Sequence, residues 1–89
     1  MNPQQREQLR LSTLRCCELA SSYGLATPLL RQFLISEGVR NLTDDSLRAE
    51  LLYLVDKGLI APVPKLISPE VEAWRITAAG RDFLSQRGI

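Results

Sequence analysis

The sequence predicts an α+β fold that is mainly helical, with a two-stranded β-hairpin between the last two helices. Three features of the second half of the chain support this prediction. A helix stops at Gly58, because glycine readily adopts the left-handed conformation that ends a helix, and an apolar, strand-like segment follows. Trp74 and Ile76 then share one face of a second strand. Thr77 is a favoured N-cap, so it predicts a last helix over residues 78–87.

Length, composition and charge are those of an ordinary globular domain. With 89 residues, the chain is expected to form one domain over residues 1–89, with its core between about 6 and 87. The apolar fraction is 45% and the charged fraction 24%. Eleven basic and ten acidic side chains leave a net charge of +1, so no strong overall field attracts nucleic acid or acidic lipid. A polar N-terminus and the lack of a long apolar run predict a cytoplasmic protein without membrane contact.

The first predicted helix, residues 6–23, has apolar side chains on two sides. At about 100° per residue, one broad stripe consists of Leu9, Cys16, Cys17, Ala20 and Tyr23. Leu11 and Leu14 lie nearly opposite this stripe. A helix with two apolar sides needs two partners, so we expect Leu11 and Leu14 to contact a second copy of the chain or the last helix. This helix is therefore the predicted interface of a homodimer.

The next two helices are predicted from their capping residues. Thr27-Pro28 is expected to begin the second helix, because a hydroxyl cap followed by proline favours a helix start. The apolar positions of this helix are Leu29, Leu30, Phe33, Leu34 and Ile35. Thr43 is expected to cap the third helix, over residues 44–57. The core-facing positions of the third helix, which fall within about 100° of arc, are Leu47, Leu51, Leu54 and Val55.

The hairpin is predicted from two short apolar segments. The first strand covers residues 59–63 and contains Pro62, with Pro64 directly after it. Since proline cannot donate a hydrogen bond to a neighbouring strand, this strand is expected at the edge of the sheet. The return strand is expected over residues 72–77.

The spacing of helix stop, hairpin and N-cap forms a recognisable pattern. Its residues are Leu54-x-x-Lys57-Gly58-Leu59-Ile60 followed by Trp74-Arg75-Ile76-Thr77-x-x-Gly80. This pattern resembles that of winged helix-turn-helix regulators of the MarR, PadR and ArsR type, in which a tyrosine occupies the position of Trp74. The resemblance covers roughly residues 9–86 and is specific for the fold, but not for a ligand or an operator. Small winged-helix proteins encoded by Mu-like prophages are similar in size.

The resemblance implies a small transcriptional regulator that binds double-stranded DNA. In such proteins the helix matching residues 44–56 enters the major groove, and the hairpin matching residues 60–76 contacts the adjacent minor groove or phosphates. The implied DNA contacts are Arg40, Asn41, Thr43, Ser46, Arg48, Ala49, Tyr53 and Lys65. Clustering of basic side chains on one face would favour this function, and the residues that could cluster are Arg6, Arg10, Arg31, Arg40 and Arg48.

A second interpretation is a non-enzymatic protein-interaction domain, such as a prophage accessory or assembly factor. The outward face of the third helix carries Asp45, Arg48, Ala49, Leu52, Tyr53 and Asp56. One arginine against two aspartates gives this face a net charge of −1, which opposes the approach of DNA phosphates. In this interpretation a partner protein binds the Leu52/Tyr53 face or the hairpin.

Several candidate residues also have purely structural explanations. Arg48 is expected either to contact a guanine edge or a phosphate, or to pair with Asp44 or Asp45 on its own helix. Helix capping alone explains Thr43. Trp74 is expected in the core and not as a stacking platform for a base.

Catalysis, metal binding and cofactor binding find no support in the sequence. Successive helical residues point about 100° apart, so Cys16 and Cys17 cannot easily share a metal ion, and no histidine is available to complete a site. Packed thiols are the expected state of both cysteines. The chain has no glycine-rich phosphate loop and no cysteine with a plausible base, so we expect no enzymatic activity and no cofactor.

Overall fold

Four helices and three short strands make up the described part of the chain. The computed structural model describes residues 2–20, 24–63 and 72–88. In chain order the elements are α1 (Pro3–Ala20), β1 (Leu25–Ala26), α2 (Thr27–Ser36), α3 (Asp44–Asp56), β2 (Ile60–Pro62), β3 (Ala73–Ile76) and α4 (Ala78–Gln86). The predicted α+β class is therefore confirmed. Helix α1 begins earlier than the predicted residue 6, and Tyr23, its predicted last residue, lies outside the described residues.

The sheet contains the predicted hairpin and one strand more than predicted. Its order is β1-β3-β2, and both pairings are antiparallel. The additional strand β1 pairs with β3 in the register Leu25↔Trp74. The prediction of two strands was incomplete, because a strand of two residues is too short to produce an alternating pattern. β2 lies at the edge of the sheet, as Pro62 predicts, whereas Pro64 lies outside the described residues.

The hydrophobic core is built around α1. Its members include Leu9, Leu14, Leu30, Leu34, Leu47, Leu51, Leu54, Ile60, Trp74, Ile76 and Leu84. Helix α1 packs against α2, α3, α4 and β3, so its own chain covers it on several sides. Leu14 is 0% exposed, and Leu11 is half-buried against the core. The two apolar sides of α1 thus reflect its central position. Leu14 is covered within its own chain and offers no exposed surface to a second copy.

Local capping residues define the start and the end of α3 and the start of α4, as predicted. Thr43 accepts a hydrogen bond from the backbone N–H of Ser46, and Thr77 accepts one from the N–H of Gly80. Gly58 follows α3 with a φ of +74°, the left-handed conformation expected of it. The Thr77 hydroxyl also donates to the Gly58 carbonyl at 2.6 Å. This bond ties the end of α3 to the start of α4.

Thr27 has a different role from the predicted one. The N-cap of α2 is Ala26, which makes no side-chain capping bond. The Thr27 hydroxyl instead accepts a hydrogen bond from Trp74 Nε1 at 2.9 Å and donates to the Glu72 carbonyl at 3.1 Å. The prediction of a Thr27 cap was wrong, because the hydroxyl satisfies the polar atom of a buried indole ring on a distant strand. Trp74 itself lies in the core, as predicted.

Both cysteines are packed, free thiols. Cys17 is completely buried and Cys16 nearly so. Burial raises the pKa of the Cys17 thiol to about 12. Burial, followed by the nearby carboxylate of Glu37, also raises the pKa of Cys16. Both thiols are therefore protonated at neutral pH in the folded protein, which agrees with the sequence-based expectation.

We expect the free energy of unfolding to fall as the pH rises above about 9. The Cys17 thiol has an ordinary pKa of 9.0 when unfolding exposes it, but about 12 in the folded chain. Between these values the unfolded state has lost a proton that the folded state keeps, so higher pH favours unfolding. Urea denaturation at several pH values should show a steeper loss of stability for the wild type than for Cys17→Ala. Parallel pH profiles for the two proteins would contradict this expectation.

Candidate nucleic-acid interface

Helix α3 presents one face to solvent. The residues on this face, all exposed as predicted, are Asp45, Arg48, Ala49, Leu52, Tyr53 and Asp56. The opposite side is anchored in the core by Leu47, Leu51 and Leu54. Because rotation of the helix would expose these three leucines, they fix which side of α3 remains available to a partner.

The start of α3 is held by a capping box and an ion pair. Ser46 N donates to Thr43 Oγ1 at 3.0 Å, and Thr43 N donates to Ser46 Oγ at 3.1 Å. Arg31 of α2 pairs with the carboxylate of Asp44 in the first turn of α3. Asn41 has a φ of +58°, a left-handed conformation that asparagine tolerates better than most residues. Thr43 and Ser46 thus stabilise the start of α3, and Asn41 lies in the turn that precedes it.

Arg48 pairs with a carboxylate at the base of the hairpin, and not with an aspartate of its own helix. Its Nη1 donates to both carboxylate oxygens of Glu72, at 3.0 and 3.2 Å. Glu72 is the residue directly before β3. The two side chains are 61% and 31% exposed, so solvent screens the pair and its contribution to stability is at most about 1 kcal/mol. Arg48 is therefore accessible, but its charge is compensated.

A cation from α1 covers the aromatic ring of Tyr53. The guanidinium carbon of Arg10 lies 4.3 Å from the ring centroid, and its Nε donates to Glu50 Oε1 at 2.7 Å. Glu50 is 8% exposed, so this carboxylate depends on Arg10 as its partner. Burial lowers the pKa of Arg10, but the hydrogen bond and the negative charge of Glu50 outweigh burial and raise it. Lys57 Nζ lies 5.7 Å from the same ring centroid.

A groove of about 400 Å³ separates α1 from the exposed face of α3. The polar and charged residues that line it on the two helices include Arg6, Arg10, Ser46, Glu50 and Tyr53. Within residues 2–20, 24–63 and 72–88, Arg6 forms no ion pair. The α3 face thus borders positive charge that comes from another helix, and we call this feature the α1–α3 groove.

The structure brings together only part of the implied DNA-contact set. The α1–α3 groove collects Ser46, Ala49 and Tyr53. Arg40 lies in a separate depression near the start of α1, and Arg48 lies beside the hairpin. Lys65 lies outside the described residues. Of the basic residues expected to cluster, Arg6 and Arg10 meet at the groove, whereas Arg31 is engaged by Asp44.

Sequence reasoning missed the two acidic side chains that hold the arginines of this surface. No sequence pattern indicated that Glu72 pairs with Arg48, because the two residues are brought together only by the packing of the hairpin beside α3. The position of Glu50, in contrast, did indicate a partner. Glu50 lies three residues after Leu47 and one before Leu51, inside the apolar stripe of α3. A carboxylate at such a position indicates a buried cationic partner, which the structure identifies as Arg10.

No protein-family model, no curated protein and no solved structure matches the chain. In the part of the chain that the structure describes, no three His, Cys, Asp or Glu side chains lie close enough together to hold a metal ion. Within the same residues, no helix has both the length and the apolar character needed to cross a membrane.

Proposed function

We propose that the protein is a winged helix-turn-helix protein that binds double-stranded DNA and acts as a small transcriptional regulator. In this proposal α2 and α3 form the helix-turn-helix, the β2–β3 hairpin is the wing, and α3 enters the major groove. The order of the elements and the β1-β3-β2 sheet support the fold. The observation that carries the function is an exposed α3 face beside the cationic α1–α3 groove.

The proposed contacts divide into phosphate contacts and base contacts. Arg6 would neutralise a phosphate from the rim of the α1–α3 groove. Arg48 would contact a base edge or a phosphate once it separates from Glu72, a step that costs at most about 1 kcal/mol. Arg10 is already bound to Glu50 and contributes less. With so few phosphate contacts, affinity is expected to be modest and to fall as salt is added.

Arg48→Ala is expected to weaken DNA binding by about 1–3 kcal/mol if the side chain contacts a base, and to relax sequence preference at that position. Glu72→Gln is expected to have the opposite effect, because it frees Arg48 and removes a negative charge beside the DNA. Fluorescence anisotropy with labelled duplexes at low and moderate salt measures both changes. Arg81→Ala is the matched control, since Arg81 is an exposed arginine of α4 outside the α1–α3 groove.

Charge removal on the α3 face supplies a further check. Asp45→Asn and Asp56→Asn should each tighten non-specific binding, because each removes a negative charge that faces phosphate.

No binding of the wild type to pooled genomic duplexes at about 50 mM salt, where attraction is least screened, would exclude DNA as the partner. Equal losses of affinity in Arg81→Ala and Arg48→Ala would show that α3 is not the contact surface.

Protein interaction is the second candidate, and the compensated charge of Arg48 favours it. On the same face Leu52 is 48% exposed and Tyr53 39% exposed. An apolar side chain beside an aromatic ring, with the local arginine neutralised, suits a protein surface better than a polyanion. Failure of duplex binding would therefore leave the Leu52/Tyr53 face as the proposed contact surface for a partner protein.

A further inference from the structure

An exposed apolar patch lies where the end of α1 meets α2. Leu19 is 83% exposed, Leu29 44% and Phe33 46%, and we call these three residues the α1–α2 patch. Leu29 and Phe33 are four residues apart, one turn along the same face of α2. None of the three lines the α1–α3 groove or belongs to the exposed face of α3. The patch is therefore separate from the proposed DNA-binding surface and needs its own explanation.

The patch borders an apolar groove of about 440 Å³. Besides the patch residues, the groove is lined by Cys16, Ala20 and Leu25. Leu19, the most exposed of the large apolar side chains described, projects beside it. One surface thus carries both an apolar projection and an apolar depression.

We propose that the α1–α2 patch is the interface of a homodimer in which Leu19 of each copy occupies the groove of the other. A two-fold interface uses the same surface on both copies, so it requires a projection and a matching depression side by side. The charged residues at the edge of the groove also favour self-association. Glu37 lines the groove and shares the adjacent depression with Arg15, so a two-fold pairing can set opposite charges against each other.

The size of the chain is compatible with this interface. A standard interface takes about 800 Å² from each partner. That area is roughly one seventh of the 5819 Å² surface of this chain. A chain of 89 residues buries only a small core, so association adds apolar burial that one copy lacks. The interface replaces the one expected from Leu11 and Leu14, since Leu14 is buried within its own chain.

Sedimentation equilibrium of the full chain across the micromolar range tests the homodimer. We expect the wild type to form dimers. Leu19→Ala is expected to raise the dissociation constant about a hundredfold, because a symmetric dimer loses the leucine contact twice. Since Leu19 is 83% exposed, its truncation removes little packing within one copy, so the variant should fold as the wild type does. A wild type that stays monomeric at high micromolar concentration would overturn the proposal.

A matched pair of substitutions locates the interface. Leu29 and Leu52 are exposed leucines on α2 and α3, at 44% and 48%. Leu29→Glu should prevent dimerisation, whereas Leu52→Glu should leave the dissociation constant unchanged. Equal effects of the two glutamates would also overturn the proposal. The duplex titration is independent: DNA binding by a monomer would refute only the dimer, and a dimer without DNA binding would refute only the proposed function.

Discussion

Gly80→Ala is expected to lower the free energy of unfolding by about 3 kcal/mol, the reverse of the usual effect of this change in a helix. Alanine in place of glycine inside a helix normally stabilises by about 1 kcal/mol. In α4, however, a Cβ atom at Gly80 would overlap the carbonyl oxygen of Leu59 and lie 2.7 Å from Cγ1 of Ile76. The Leu59 carbonyl accepts a hydrogen bond from Thr77 N at 3.1 Å, so it cannot retreat without disrupting the start of α4.

Urea denaturation of the wild type, Gly80→Ala and Ala79→Gly measures this effect against intrinsic helix propensity. Ala79 is the preceding residue and is exposed, so Ala79→Gly should cost only about 1 kcal/mol. A Gly80→Ala protein as stable as the wild type would show that α4 does not approach the backbone at Leu59 as closely as described.

The same glycine shows what the sequence could and could not predict about the fold. Thr43, Gly58 and Thr77 act on atoms within a few residues of themselves, so their roles as helix caps and helix stop were predictable. The close contact of Gly80 joins two elements that are distant in sequence, and no local pattern reports it. β1 escaped prediction for a related reason, because two residues become a strand only when β3 lies beside them.

The candidate site likewise has one part that the sequence could predict and one part that it could not. The exposed face of α3 was predictable, because the apolar stripe on its other side determines which residues remain outside. The acidic partners of Arg48 and Arg10 could not be identified, since Glu72 lies 24 residues after Arg48 and Glu50 lies 40 residues after Arg10. The position of Glu50 in the apolar stripe indicates a buried cation, but not which one. The element that covers Leu14 was not predictable either, because periodicity counts the apolar sides of a helix but cannot tell whether one chain or two chains cover them.

Arg10→Ala is expected to destabilise the protein by about 3 kcal/mol, because it leaves the Glu50 carboxylate buried without its cation. The two side chains are 21% and 9% exposed, so water replaces the lost partner poorly. Arg48→Ala should cost less than about 1 kcal/mol, since the side chains of that ion pair are 61% and 31% exposed. Each variant loses one arginine. Arg10→Ala also loses a longer contact of 3.6 Å with Glu7, whose side chain is 36% exposed and which contributes little, so the difference between the urea denaturation midpoints mainly reports the effect of burial.

A double variant separates the missing cation from the missing packing. In Arg10→Ala combined with Glu50→Gln, the neutral amide removes the buried charge while the stem of the arginine stays absent, so most of the lost stability should return if the uncompensated charge caused the loss. If the double variant is as unstable as Arg10→Ala, packing of the arginine, and not its charge, stabilises the contact between α1 and α3. Recovery would instead show that the role of Arg10 is to compensate the buried Glu50 charge. Because the same guanidinium lies 4.3 Å from the Tyr53 ring, this requirement also holds Arg10 of α1 against the α3 face.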